Sequence, residues 1–153
     1  MEDLADNHLS YMTPGGWIEQ FELSAIIECD DDTVPKDNIL FSWGPRLNLA
    51  AEKAGRPLGI MWTMRESLEK AGFTDFHVKD YKWPIGPWAR DKQLKEAGAV
   101  NFQHWISGME GYAMWLLTKF GDPVPWSKEE VQVYVAQMRK QLSTPGFHCY
   151  HRA

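Results

Sequence analysis

The N-terminal part of the chain contains one segment with a clear two-residue alternation of apolar and polar positions. One face of Trp17–Leu23 carries Trp17, Glu19, Phe21 and Leu23. This period predicts a β-strand, launched from the turn formed by Pro14 and the two glycines that follow it. The residues before the turn predict a short helix, Glu2–Met12, because a helix ends readily ahead of proline and glycine.

Two further segments carry a helical pattern and end at a glycine. The first is Lys36–Gly55, whose apolar residues recur at helical spacing: Leu40, Trp43, Leu47 and Ala50. It contains Pro45, which predicts a kink because proline removes a backbone donor and clashes with the preceding turn. The second is Thr63–Gly72, where Thr63 and Glu66 have the spacing of a capping box.

The C-terminal half predicts two more helices, one of which is the most apolar element. Asn101–Gly121 presents one stripe of large side chains: Phe102, Trp105, Met109, Tyr112 and Leu116. Ser127–Leu142 opens with a second capping box, formed by Ser127 and Glu130. Phe73–Trp83 and Phe147–Arg152 predict strands. Mixed helices and strands in 153 residues indicate one domain, residues 1–153, of the α+β class.

Composition and charge exclude several classes of function. The formal charge is -5 at pH 7, and no Lys/Arg-rich block provides the positive surface that nucleic-acid binding requires. No apolar run approaches the length of a membrane span, and the acidic N-terminus does not resemble a signal peptide. Cys29 and Cys149 fit no zinc spacing, so we expect free thiols in a reducing, cytoplasmic setting.

Several linked segments resemble the C-terminal half of the fungal methyltransferase-like proteins related to the LaeA regulator of secondary metabolism. They are "PGGWIE", "AGRPLGI", "LEKAGFTDFHVKDYKWPIGPWARDKQLKEAG", "GMEGYAMWLLTK" and "WSKEEVQVYVAQMRKQL". The resemblance implies half of a class I methyltransferase fold, a truncated α/β fold with a small mixed sheet covered by helices. Its three strands would be Trp17–Leu23, then Phe147–Arg152 antiparallel in the middle, then Phe73–Trp83.

The same resemblance implies that the first half of the fold, which holds S-adenosylmethionine in the family, is missing. Gly15 and Gly16 precede a strand, whereas a cofactor-binding glycine turn follows one. We therefore expect no cofactor and no methyl transfer by the chain alone. The uncovered edge of Trp17–Leu23 predicts a homodimer through that strand, with a heteromer as the rival.

Polar residues in apolar surroundings are the candidate catalytic groups: Glu22, Arg90, His104 and Tyr112. Glu22 is a possible base, because open sheets bind ligands at the carboxyl ends of their strands. His104, Tyr112 or Arg90 is a possible hydrogen-bond donor, although a solvated surface position explains each residue as well. His148 and His151 point to opposite faces of a strand, so we expect no shared metal.

Eight Trp and seven Met suit either a packed core or the wall of a pocket for an apolar substrate. The candidate substrate-binding residues are Trp43, Trp62, Trp88, Trp105, Met109 and Trp115. We expect a cofactor-independent cyclase or pericyclase that acts on a bulky polyene, terpenoid or polyketide. The alternatives are a non-catalytic LaeA-like regulatory or interaction protein and the substrate half of a split methyltransferase.

Overall fold

The computed structural model describes residues 11–153. A 3-10 helix, Ile39–Ser42, leads directly into the first α-helix. In chain order the remaining elements are α1 (Trp43–Lys53), α2 (Ile60–Lys70), β1 (Lys82–Pro84), α3 (Lys92–Phe120), α4 (Lys128–Leu142) and β2 (Tyr150–Arg152). Except for its last two residues, the predicted helix Glu2–Met12 lies outside the described residues.

The core forms where the long helix α3 packs against α1, α4 and β1. The Asp91 side chain accepts a hydrogen bond from Leu94 N and caps α3, which therefore begins well before the predicted start at Asn101. The core residues are mostly aliphatic, with Trp43, Trp105 and Tyr134 among them. Near its start, α3 approaches the loop after β1 so closely that a Cβ at Gly98 would overlap the carbonyl oxygen of Gly86.

The sheet has two assigned strands within residues 11–153, and three were predicted. β1 and β2 pair antiparallel, with Trp83 opposite His151. The third segment beside β2 is residues 24–28, which Ser24 and Glu28 join to it by backbone hydrogen bonds. The prediction that Trp17–Leu23 is the strand is wrong, because buried Ile27 (2% exposed) and not exposed Phe21 (60%) anchors this part of the chain in the core.

The other predicted strands are real but much shorter than their patterns. Only the last two residues of Phe73–Trp83 lie in β1, and β2 begins at Tyr150. Residues 73–80 have no backbone ladder partner among the described residues, so this part of the predicted strand does not form. Completion of the sheet by pairing with a second copy of the chain therefore stays a prediction.

The helix boundaries confirm some of the signals predicted for helix starts and ends and correct others. Ser127 and Glu130 form the predicted capping box of α4, and Gly55 and Gly72 have positive φ after α1 and α2. Pro45 causes no kink, since it lies in the first turn of α1, where its missing N–H is not needed.

The Thr63 capping box is wrong. Helix α2 begins one turn earlier, after Gly59, and Thr63 lies inside it. Over the described part of the chain, no helix combines the length and hydropathy needed to cross a membrane.

Candidate functional site

A cavity of about 1080 Å³ lies between residues 12–22, helix α2 and residues 72–81. Its volume is at the upper end of the range for small-molecule sites. Large apolar side chains dominate its wall: Trp17, Phe21, Met61, Met64, Leu68, Phe73, Phe76, Val78 and Tyr81. This arrangement can enclose a bulky apolar molecule.

The ionisable side chains of the cavity wall include Glu22 and His77. The Glu22 carboxylate accepts a hydrogen bond of 2.8 Å from the Gln20 side chain. The His77 ring stacks on Trp17 with a centroid distance of 5.6 Å and an interplanar angle of 28°. The stacking orients the imidazole. A carboxylate can act as a base, and an imidazole can act as an acid or a base.

A second polar site lies at the outer edge of the sheet, where Glu28 and Asp30 meet β2. Glu28 accepts two hydrogen bonds from the Arg152 guanidinium, of 2.9 Å and 3.3 Å. The Tyr150 hydroxyl donates to Asp30 at 2.8 Å and to Glu28 at 3.1 Å. Burial and these two carboxylates raise the pKa of Tyr150. The phenol is therefore held neutral as a donor, and these contacts fix residues 28–30 against β2.

The same edge holds a carboxylate and histidine pair. His148 Nδ1 lies 2.5 Å from an Asp31 carboxylate oxygen, and the Thr33 hydroxyl donates to the other oxygen at 2.8 Å. The hydrogen bond with His148 is the main reason that the pKa of Asp31 lies well below its usual range. The Trp88 ring stacks on His148 with a centroid distance of 4.9 Å. Asp31 and Trp88 therefore orient the imidazole of His148. This pair is separate from the cavity.

His151 is buried in a different network. Its Nε2 accepts from the Asn101 side-chain amide at 3.0 Å, and its Nδ1–H donates to the Ser24 carbonyl oxygen at 3.2 Å. Asn101 also donates to the Pro84 carbonyl oxygen at 2.8 Å. Burial lowers the pKa of His151, so the imidazole is neutral and joins β1, β2, α3 and residues 24–28.

The two histidines at the C-terminus thus have separate partners. Within residues 11–153, no group of three or more His, Cys, Asp or Glu residues is arranged to hold a metal ion.

The structure places one of the predicted catalytic residues, Glu22, in the cavity wall. His104 and Tyr112 lie together on the exposed side of α3, with ring centroids 6.3 Å apart. Arg90 is exposed just before α3. The four residues therefore do not form one cluster, and their catalytic roles stay predictions.

The predicted substrate-binding residues divide between the core and the surface. Trp43, Trp105 and Met109 are core residues, because the apolar stripe of α3 packs against neighbouring helices. Trp62 and Trp115 are 62% and 47% exposed. The remaining residue, Trp88, stacks on His148 and donates to the Cys149 carbonyl oxygen at 2.8 Å.

Sequence reasoning missed the residues that line the cavity, above all Phe73, Phe76 and His77. The interpretation of residues 73–83 as a strand assigned these side chains to a sheet face. A usable signal was present in "FTDFH", where aromatic side chains are interrupted by polar ones without regular alternation. Such a pattern is compatible with an irregular segment that lines a cavity.

Comparison with known proteins gives relatives among fungal proteins. "Probable methyltransferase tdiE" of Emericella nidulans is 31% identical over 141 residues, which are 92% of this chain and 44% of that protein. "Methyltransferase pytC" of Aspergillus terreus is 29% identical over 139 residues, covering 91% of this chain and 42% of the relative. "Secondary metabolism regulator LAE1" of Cochliobolus heterostrophus is 29% identical over 144 residues, covering 93% and 46%.

The chain spans less than half the length of these curated relatives. No protein-family model matches it, and no solved structure gives a significant match. The relatives and the mixed fold agree with the resemblance found in the sequence. The chain is a homologue of fungal methyltransferases and LaeA-like regulators and resembles a C-terminal piece of such a methyltransferase-like protein.

Proposed function

We propose that this chain binds a bulky apolar molecule of fungal secondary metabolism in the cavity between residues 12–22, α2 and residues 72–81, and promotes its cyclisation or isomerisation without a cofactor. The substrate class is a polyene, terpenoid or polyketide. The observation that carries the proposal is the cavity of about 1080 Å³, whose wall is more apolar than polar. Sites for small organic molecules have this composition.

The proposed chemistry requires binding and proton transfer only. Apolar walls hold a flexible substrate in a reactive conformation, which lowers the entropic part of the barrier. Glu22 accepts a proton, and the imidazole of His77 donates a hydrogen bond to a carbonyl oxygen where negative charge develops. The roles predicted for His104, Tyr112 and Arg90 belong to the same proposal, and variants of these residues that leave turnover unchanged would remove them from it.

Binding is tested with anilinonaphthalene sulfonate, a fluorescent apolar probe. Trp17→Ala removes an aromatic side chain from the cavity wall, whereas the control Trp62→Ala removes an exposed one outside it. We expect the first variant to weaken probe binding several-fold and the second to leave it unchanged. Equal affinity in both variants would show that the probe does not use this cavity.

Turnover is tested by incubating the protein with apolar metabolites from a fungal extract, without S-adenosylmethionine. Mass spectrometry and chromatography would detect a product that has the mass of its substrate but a different retention time. Glu22→Gln should slow formation of that product while probe binding is retained. Unchanged turnover in this variant would rule out Glu22 as the base.

A second candidate is a non-catalytic interaction protein that pairs through residues 17–23. Trp17 and Phe21 are 72% and 60% exposed, and large exposed aromatic side chains are typical of contact surfaces. A second copy of the chain is the proposed partner. Light scattering at micromolar concentration should give the mass of a dimer, and Phe21→Asp should convert it to a monomer. A monomeric parent chain rejects the homodimer.

A third candidate follows from the names of the relatives, two of which are methyltransferases. Here the chain supplies the substrate side of a methyl-transfer site, and other sequence or another chain supplies S-adenosylmethionine. Product analysis separates the candidates, because methyl transfer adds one methyl group to the substrate mass and cyclisation leaves that mass unchanged.

A further inference from the structure

The two cysteines lie opposite each other on neighbouring segments of the sheet. Glu28 and Tyr150 exchange both of their backbone hydrogen bonds, at 2.8 Å and 2.9 Å, so they form a hydrogen-bonded antiparallel pair. In this geometry the next opposed residues form a non-hydrogen-bonded pair, whose Cα atoms are about 4.5 Å apart. Those residues are Cys29 and Cys149, and disulfides need Cα separations of about 4.4–6.8 Å.

The local contacts bring the two thiols to the same side of the sheet. Both cysteines pack against the same hydrophobic core. Cys29 Sγ lies 3.3 Å from the Thr33 hydroxyl, which in turn accepts a hydrogen bond of 3.0 Å from the backbone N–H of His148. The Cys29 thiol is therefore next to the residue that precedes Cys149. Both thiols are free in the structure.

The two thiols differ in exposure, which gives them different roles. Cys149 is 1% exposed, whereas Cys29 is half-buried and reachable from solvent. Burial is the main cause that raises the pKa of Cys149 to about 12, and the nearby Cys29 and Asp31 also raise it. Cys29 is therefore the group that meets an oxidant first, and Cys149 is the protected group that reacts second.

We propose that Cys29 and Cys149 form a reversible cross-strand disulfide when the protein meets a hydroperoxide. The Cys29 sulfur attacks the peroxide oxygen; the O–O bond breaks, the peroxide is reduced to water or an alcohol, and Cys29 becomes a sulfenic acid. The Cys149 sulfur then attacks the Cys29 sulfur, and the S–O bond breaks with release of water. In total, two thiols are oxidised by two electrons and one peroxide is reduced.

The disulfide would fix residues 24–28 to β2 and change the outer edge of the sheet. The Cys29 thiol donates a hydrogen bond of 3.3 Å to the Asp31 carboxylate, which also contacts His148. Oxidation removes this donor from Asp31 while linking the segment covalently. The modified site is thus coupled to the Asp31 and His148 pair and is independent of the cavity function.

The test treats the purified chain with hydrogen peroxide and then measures intact mass and peptide masses without reduction. We expect the loss of two hydrogens, a peptide pair linked through Cys29 and Cys149, and return to the starting mass with dithiothreitol. The oxidised protein should melt several degrees higher than the reduced protein, because the link restricts the unfolded chain. Cys29→Ser and Cys149→Ser are matched controls that should not lose two hydrogens.

Two results would overturn the proposal. One is a stable sulfinic acid on Cys29 with Cys149 still reduced, which would show that the thiols do not meet. The other is a disulfide between two copies of the chain, visible as a dimer in a non-reducing gel. Oxidation of the Cys149→Ser variant distinguishes the access of peroxide to Cys29 from disulfide formation, since Cys29 of this variant should still react with the peroxide.

Discussion

At the scale of single residues, the buried pair of Asn101 and His151 has the largest structural consequence. Both side chains are at most 3% exposed, and their hydrogen bonds reach the Pro84 and Ser24 carbonyl oxygens. A buried polar group stabilises a fold only while its partners are present. The network therefore joins four parts of the chain. Removing one of its members leaves the others without a hydrogen-bond partner and lowers the free energy of unfolding.

Asn101→Ala tests this network. The substitution leaves His151 Nε2 and the Pro84 carbonyl oxygen without their donor, so we expect the free energy of unfolding to fall by about 1–3 kcal/mol. Gln103→Ala, at an exposed position of the same helix, should change it by less than about 0.5 kcal/mol. Urea denaturation of both variants measures the difference, and equal effects would contradict the role of the network.

The buried imidazole also predicts a dependence of stability on pH. Burial lowers the pKa of His151 from its ordinary value of 6.5, so below this pH the unfolded chain binds a proton that the folded chain resists. The free energy of unfolding is therefore highest above that value and decreases as pH falls toward the folded pKa. His151→Gln should remove this part of the slope, and His77→Gln, at an exposed position, should keep it.

At the scale of elements, helix α3 depends on two glycines in different ways. A Cβ at Gly98 would overlap the Gly86 carbonyl oxygen, whereas a Cβ at Gly111 meets no atom within 4 Å. The backbone N–H of Gly86 also donates to the Gly98 carbonyl oxygen at 3.0 Å. The start of the helix thus packs tightly against the loop after β1, whereas the surroundings of Gly111 are open.

Alanine at these two positions should have opposite effects. Gly98→Ala forces the helix away from the loop, and we expect it to lower the free energy of unfolding by about 1–3 kcal/mol. Gly111→Ala should raise it by about 0.5–1 kcal/mol, because alanine loses less backbone entropy in a helix. Thermal unfolding followed by circular dichroism compares the two variants, and destabilisation of both would contradict the open surroundings of Gly111.

Local signals gave the more accurate element predictions, although the capping box at Thr63 was wrong. The capping box of Ser127 and the glycine ends at Gly55 and Gly72 were predicted correctly, since caps are made by residues a few positions apart. The strand Trp17–Leu23 was wrong because strand pairing depends on a distant partner. Only the burial of Ile27 and the hydrogen bonds to β2 identify residues 24–28 as the paired segment.

At the scale of the whole molecule, stability is distributed unevenly between the core and the cavity wall. Helix α3 buries seven residues, among them Trp105 and Met109. Helix α2 has no buried residue, although it forms one wall of the cavity. Regions with few buried apolar contacts open at lower free energy, so the cavity side should be the less stable part.

Hydrogen exchange of the backbone amides tests this difference. We expect amides of Ile60–Lys70 to exchange orders of magnitude faster than those in the middle of Lys92–Phe120. Adding the apolar probe should slow exchange in α2 and leave exchange in α3 unchanged, because only α2 lines the cavity. Equal protection of both helices without the probe would contradict the uneven distribution.

The sequence by itself determined the resemblance to LaeA-related proteins, the capping box at Ser127, the glycine ends at Gly55 and Gly72 and the mixed composition of the fold, because these properties are encoded in local patterns and linked motifs. The tertiary structure decided which segment pairs with β2, which Trp residues enter the core, and that Glu22 and His77 share a cavity. These outcomes depend on contacts between residues far apart in the chain, and a pattern of period two or 3.6 specifies a face but not the partner that covers it.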